Sequence, residues 1–432
     1  MVESEIDIFA DDTFIYRIID PNSTKFLSDD LDRITEWAYQ WKMVFNPDIS
    51  KQAIEIIFSR KYTGYKADPP PLTFNNIPVK RDIETKHLGM MLDSKLYFES
   101  HIEGINGKIS KSRQGLGVMK QIKKYVSPRV LANNYFAYVR PHLDYGDIIV
   151  HQAYLKKTLI YDFKSSSILL DKMDMVQYDA ARIVTGAWRG SPRKQLFDEL
   201  GWDSLNNRCI MRKLSLLHEI YYYKFPSYLD DILTPLRPTS RRQLDLPDEK
   251  TKLKIFPIST EYFQKTFFPS TIKDWNRQEF KDIRSIECKD TFKGALVKLM
   301  RPIKSSPWYG LMDHNYDHNR MRHITMLRLG LSPLHAHMAH YKFVGITADC
   351  TVCSVPEDTK HFLLTCTSFR ISRATMFRKV TEITGIDIST LPLKRRTDIL
   401  LYGSGNLSDD ENSKILKIVT DFTISTRRFD TA

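Results

Sequence analysis

Two stretches of this sequence group residues that could do chemistry. Near the start, EIDIFADDTFIYRI (Glu5–Ile18) places the adjacent carboxylates Asp11 and Asp12 between two apolar, β-rich runs. Adjacent carboxylates repel, so a fold that keeps them together at a hairpin tip usually has a cation there. A two-metal phosphoryl-transfer site needs carboxylates that bridge Mg²⁺ ions about 3.5–4 Å apart. Mg²⁺ also keeps waters and substrate phosphates as ligands, so few protein carboxylates suffice. The plainer alternative is an Asp-Asp turn on a solvated hairpin, since Asp is common in turns.

The second stretch is CTVCSVPEDTKHFLLTC. Cys350-x2-Cys353 is followed by seven residues to His361 and four more to Cys366. Three thiolates and an imidazole make a closed tetrahedral Zn²⁺ set, which is structural because no coordination position stays open. The alternative is a set of buried free cysteines. A short helix starting at Asp358 or Thr359 is expected to bring His361 and Cys366 to one side. His335, His337 and His340 are near in sequence, but the four-ligand set is complete without them, so phosphate contact or surface exposure is expected of them rather than ligation. Cys209 and Cys288 read as packing residues.

A third group carries charge rather than reactivity. From Gly107 to Arg129 there are seven basic residues, Lys108, Lys111, Arg113, Lys120, Lys123, Lys124 and Arg129, and no acidic one. Ile109, Leu116, Met119, Ile122 and Val126 recur at helical spacing. The segment reads as an amphipathic helix whose basic face tracks a phosphate backbone, giving salt-dependent affinity without sequence recognition. A merely solvated helix face is the alternative. Arg320, Arg322 and Arg328 are expected to add phosphate contacts.

The elements around these groups follow from patterning. With 432 residues, 42% of them hydrophobic, the chain can bury a sizeable core over two or three domains. A net charge of +12 favours a polyanionic partner, nucleic acid first. Five clustered cysteines argue against a secreted disulfide framework. No long apolar run and no basic-then-apolar leader is present, so no membrane span and an intracellular (cytoplasmic or nuclear) protein are expected. EIDIFA, TFIYRII, AIEIIFS and HLGMML read as strands and Asn22–Trp41 as a helix, with Trp37 and Trp41 expected in its packed face. From His101 onward the chain reads as mainly helical, interrupted by a linker or exposed loop at Pro235–Pro257.

Set in this order, the motifs resemble a family. FADDT (Phe9–Thr13) is similar to motif C of the reverse transcriptases of non-LTR retrotransposons. WAYQWKMVFNPDISKQAIEIIFSRK resembles motif D, and KHLGMMLDSKLYFESHI resembles motif E, the primer grip, with the start of the thumb. YVRPHLDYGDI, VQYDAARIVTGAWRGSPRKQLFDELGWDSL and FFPSTIKDWN resemble the downstream region, and LRLGLSPLHAH before the Cys/Cys/His/Cys set resembles the family's closing module.

The resemblance implies an α+β architecture. It comprises a partial polymerase palm over 1–100, a thumb over 101–150, a helical connection over 151–320, a zinc module over 321–380 and a C-terminal tail over 381–432. It implies an RNA-directed DNA polymerase with Asp11 and Asp12 as Mg²⁺ ligands, Lys51 beside the leaving pyrophosphate, and RNA and DNA as partners. Fingers and motifs A and B, including the third metal-binding aspartate, precede motif C in the family, so this chain alone is expected to be inactive. The alternative is a non-enzymatic nucleic-acid-binding remnant or a domesticated derivative.

Overall fold

The computed structural model describes residues 3–20, 23–45, 53–59, 70–154, 168–187, 189–233, 251–257, 260–300 and 318–430. Two compact units result, Met1–Gly107 and Lys108–Ala432. The fold is mixed and mostly helical.

The first unit opens with an antiparallel hairpin. Strands Glu5–Phe9 and Asp12–Tyr16 pair from Glu5↔Tyr16 to Phe9↔Asp12, leaving Ala10 and Asp11 as the loop. Ala10 takes the left-handed φ of 55° that a two-residue hairpin turn demands. The helix Ser23–Gln40 follows. Its fully buried Asp30 accepts the N–H groups of Glu3 (3.0 Å) and Ser4 (2.8 Å) and a bond from Arg33, tying the chain start to the helix.

AIEIIFS contributes only Ile54–Glu55, paired parallel to Lys80–Arg81 and held by the Arg81–Glu55 ion pair at 3.0 Å. HLGMML is not one strand. It is the tip of a hairpin, Glu84–His87 with Met90–Asp93, turning on Leu88 (φ 44°) and Gly89 (φ 80°). Trp37 and Trp41, expected in the core, are 50% and 68% exposed. Trp41 lies just past the helix end, one turn on from Trp37, to whose carbonyl its N–H donates at 3.1 Å, and both rings face outward.

The second unit is helical. The basic helix Lys108–Ile122 packs against Ile168–Thr185 and against the run Tyr135–Asp144. Leu116, Met119, Leu131, Tyr135, Val139, Leu143, Met173 and Val176 are buried there, with Tyr135 stacked on Trp202 at 4.0 Å. Gly115 allows the close approach: a Cβ there would meet Val139 Cγ2 at 2.9 Å and Tyr138 O at 3.0 Å. A second core gathers Leu214, Leu217, Trp275, Phe280 and Phe292 from the helices Leu205–Tyr223, Phe267–Trp275 and Lys289–Met300 and the segment between the last two.

A third core joins Ile324, Met326 and Leu327 of the helix His318–Leu329 to Phe362, Leu363 and Leu364, as the Cys/His reading requires. It also takes Ile388, Leu400, Ile415, Leu416, Val419, Phe422 and Phe429. The boundary expected at 380 therefore falls inside one hydrophobic core, within the helix Arg370–Thr384. The amphipathic helices Leu393–Tyr402 and Asp409–Ser425 turn their apolar faces into this core. Among the described residues no helix is long and apolar enough to cross a membrane.

Candidate metal centre and nucleic-acid interface

The Cys/His ligands are assembled by two short local structures. Cys350 N donates to Val355 O (2.8 Å), Ser354 N returns to Cys350 O (2.9 Å), and Asp349 bridges Pro356. This tight loop, with Ser354 at φ 53°, turns Cys350 and Cys353 toward the same point. Asp358 Oδ1 then accepts His361 N–H at 2.7 Å, starting a helical turn over His361–Thr365 that Cys366 N closes on His361 O at 2.8 Å. One turn brings His361 and Cys366 to the same side.

The four ligand atoms all lie within 4.8 Å of one another. Cys350 Sγ and Cys366 Sγ are 3.9 Å apart. Tetrahedral zinc with Zn–S bonds of about 2.3 Å sets its sulfurs about 3.8 Å apart. His361 is buried, and its Nε2 has no hydrogen-bond partner. Its Nδ1 meets Thr365 Oγ1 at 3.1 Å. A proton on Nδ1, donated to Thr365, leaves Nε2 with a free lone pair directed into the cluster, the outer contact that metal-binding histidines use. Hydrogen bonds from Thr367 hold the Cys353 thiol below its usual range, whereas burial pushes the Cys366 thiol up. The donor set fits a divalent metal such as zinc.

The neighbouring histidines brace the site instead of completing it. His335 Nδ1 meets Asp349 O at 2.8 Å, and His337 Nδ1 meets Ser332 Oγ at 2.7 Å. Burial lowers the pKa of His337, which favours its neutral form.

The basic stretch is not one helix: Lys111, Arg113 and Lys120 are exposed on the helix Lys108–Ile122, half-buried Lys123 and exposed Lys124 lie in the turn after its end, and exposed Arg129 stands in the next helix, Pro128–Asn134. Arg113 and Lys120, seven residues apart, share one stripe of this helix. Lys111 lies on the other shoulder, where its charge helps burial lower the pKa of His142. Lys108 does not belong to this face. It is 4% exposed, its Nζ donates to Leu143 O at 3.2 Å, and burial lowers its pKa to about 8. The helical period turns position 108 onto the same side as Ser112, Leu116 and Met119. Arg328 is likewise no phosphate ligand, being buried against Glu199 and Leu401 O. The side chain of Arg320 lies outside the described residues.

Asp11 and Asp12 are exposed, Asp11 in the loop and Asp12 opening the second strand. Among the described residues the Cys/His set is the group of three or more His, Cys, Asp or Glu able to hold a metal, and neither aspartate is in such a group. Two carboxylates alone do not fit a Mg²⁺ cage. Lys51 lies outside the described residues, as does most of the Pro235–Pro257 stretch. Cys209 is buried as expected, but Cys288 is exposed.

Sequence reasoning missed the buried charges. Arg208 and Arg212 bind Asp144 (2.8 and 3.2 Å), and Arg212 also binds Asp147. Together with Arg140 and the Lys293–Glu219 pair they line a cavity of about 480 Å³ whose cations are already matched by carboxylates. Beside the metal centre, Arg428 forks onto Glu357 (3.0 and 2.7 Å), and Arg373 reaches Leu363 O and Cys366 O. No spacing rule marks Arg208, Arg212 or Arg428, because their carboxylate partners lie 64, 65 and 71 residues away.

No family model matches the chain, and no solved structure does. One curated protein does, the "Probable RNA-directed DNA polymerase from transposon X-element" of Drosophila melanogaster, 28% identical over 109 residues. The match takes in 25% of this chain and 11% of that protein. Over part of its length, then, the chain is similar to a transposon-borne RNA-directed DNA polymerase.

Proposed function

We propose that the chain is a portion of a reverse transcriptase of the non-LTR retrotransposon type, working in this portion as a nucleic-acid grip. Residues 1–100 act as part of the palm and 101–150 as the thumb, which holds template and primer through phosphates. The helices to residue 320 form the connection, and the Cys350/Cys353/His361/Cys366 set is a structural zinc site. The observation that carries the reading is the two-residue hairpin displaying Asp11 and Asp12 in a chain similar to a transposon polymerase. Order along the chain supports it, since the basic helix and the Cys/His set follow that hairpin as in the family it resembles.

Among the described residues no third carboxylate joins Asp11 and Asp12, and this favours a second reading, a nucleic-acid-binding protein without polymerase activity. Primer extension on an RNA template with Mg²⁺ and dNTPs separates the two. The 432-residue polypeptide alone is expected to incorporate nothing. Adding in trans a polypeptide that carries fingers and a motif A aspartate should restore incorporation, and Asp11→Ala or Asp12→Ala should abolish it. Failure to restore it, with nucleic-acid binding intact, selects the second reading. Incorporation by the chain alone that survives Asp12→Ala overturns the site.

A further inference from the structure

Arg373 stands on the helix Arg370–Thr384 with 8% of its surface exposed. Its Nε donates to Leu363 O at 3.1 Å and its Nη2 to Cys366 O. Both acceptors are neutral, and among the described residues no carboxylate pairs with it. Through Cys366 O it is bonded to the residue that supplies the last ligand of the Cys/His set. An unpaired buried guanidinium is strongly unfavourable unless an anion answers it. The other arginine beside the cluster, Arg428, is already answered by the buried carboxylate of Glu357.

A divalent metal held by three thiolates and a neutral imidazole carries a net charge of about −1. Metal-free neutral thiols carry none. The two buried charges therefore match only when the metal is bound, with each cysteine having released its proton to solvent.

We propose that Arg373 is the positioning and charge-balancing residue of the metal centre. Its fork fixes the carbonyls of Leu363 and Cys366, and so the backbone that carries the last ligand. Its charge offsets that of the tris-thiolate, mono-imidazole zinc complex. The proposal rests on the zinc reading above and deepens it.

The test uses the full chain as parent, Arg373→Met and Arg373→Lys. Zinc stoichiometry, zinc affinity by competition with a chromogenic chelator, and melting temperature with zinc and with EDTA are measured. Arg373→Met is expected to bind zinc about 10–100-fold more weakly, the usual effect of losing an outer-shell partner. With zinc it should melt below the parent. In EDTA it should melt at or above the parent, because an unanswered buried charge has been replaced by an apolar side chain. A purely structural arginine would lower both melting temperatures alike.

Unchanged zinc affinity in Arg373→Met, or equal melting losses with and without zinc, overturns the proposal. If Arg373→Met does not fold, Arg373→Lys decides. Retention of charge should keep zinc affinity within about tenfold, and a loss near 100-fold overturns the charge-balancing role. A parent chain that binds no zinc overturns the zinc reading and this proposal with it.

Discussion

The guanidinium of Arg328 is sealed against the carboxylate of Glu199, 2.6 Å away, with none of the Arg328 side chain exposed to solvent. The same guanidinium donates to Leu401 O and lies over the Tyr402 ring at 4.7 Å. The helices His318–Leu329, Arg193–Leu200 and Leu393–Tyr402 are thereby locked together. Glu199→Gln should leave an unanswered buried charge and cost about 3–5 kcal/mol, read as a fall in the urea midpoint. Arg328→Met should cost less, because Glu199 keeps some access to water, and should leave nucleic-acid affinity unchanged. A drop in affinity without a drop in stability would return Arg328 to the phosphate-binding set.

Zinc should organise the C-terminal core. One zinc per chain is expected after dialysis, lost in Cys353→Ser and in His361→Ala but kept in His337→Ala, whose ring is engaged by Ser332. Stopping the chain at residue 380 would remove Leu400, Ile415, Leu416, Val419, Phe422 and Phe429 from the core that buries Phe362. That truncation should weaken zinc binding and open the region to proteolysis. Parent-like zinc affinity and protease resistance in the truncated chain would show that the core ends earlier.

The two sides of the basic helix should respond differently to substitution. Charge reversal at Lys120, Lys123 and Lys124 should weaken nucleic-acid binding and flatten its salt dependence, by about 0.7–0.9 in the log–log slope for each phosphate no longer neutralised. Lys108→Met should leave affinity and slope as they are, since Lys108 is buried. If the triple variant binds like the parent at every salt concentration, the end of the helix and the turn after it are not the interface.

Lys108 should instead appear in the pH dependence of stability. Its folded pKa of about 8 lies below the ordinary value of 10.5, chiefly through burial. Between these values the unfolded chain binds the extra proton, so stability should rise as pH goes from about 8 toward 10.5. Below that window the full penalty is present, about 3 kcal/mol. Lys108→Met should therefore stabilise most at neutral pH and flatten this rise. Parallel urea-midpoint profiles for parent and variant would contradict the assignment.

Gly115 and Gly117 form a matched pair in one helix. Gly117→Ala meets nothing within 4 Å and should stabilise by up to about 1 kcal/mol through helix propensity. Gly115→Ala gains the same propensity but drives a methyl into Val139 and the Tyr138 carbonyl. The net effect should be a loss of about 1–2 kcal/mol, seen in thermal or urea unfolding.

Local chemistry was legible in the sequence. Cys350-x2-Cys353 and the spacing from His361 to Cys366 are closed by a loop and one helical turn, so nearby residues alone dictate where the ligands meet. The helix Ser23–Gln40 and the turn between Phe9 and Asp12 were equally plain, because propensity and alternation act over a few residues. What covers a helical face is decided by residues far along the chain. Spacing alone placed Trp37 and Trp41 inside, yet they are exposed, while Lys108 and Arg328 are buried by Leu143 and by Glu199. The same holds for the pair Glu357–Arg428, separated by 71 residues. Charges of this kind find their partners only when the helices pack, since burial makes a partner necessary and tertiary contact alone supplies it.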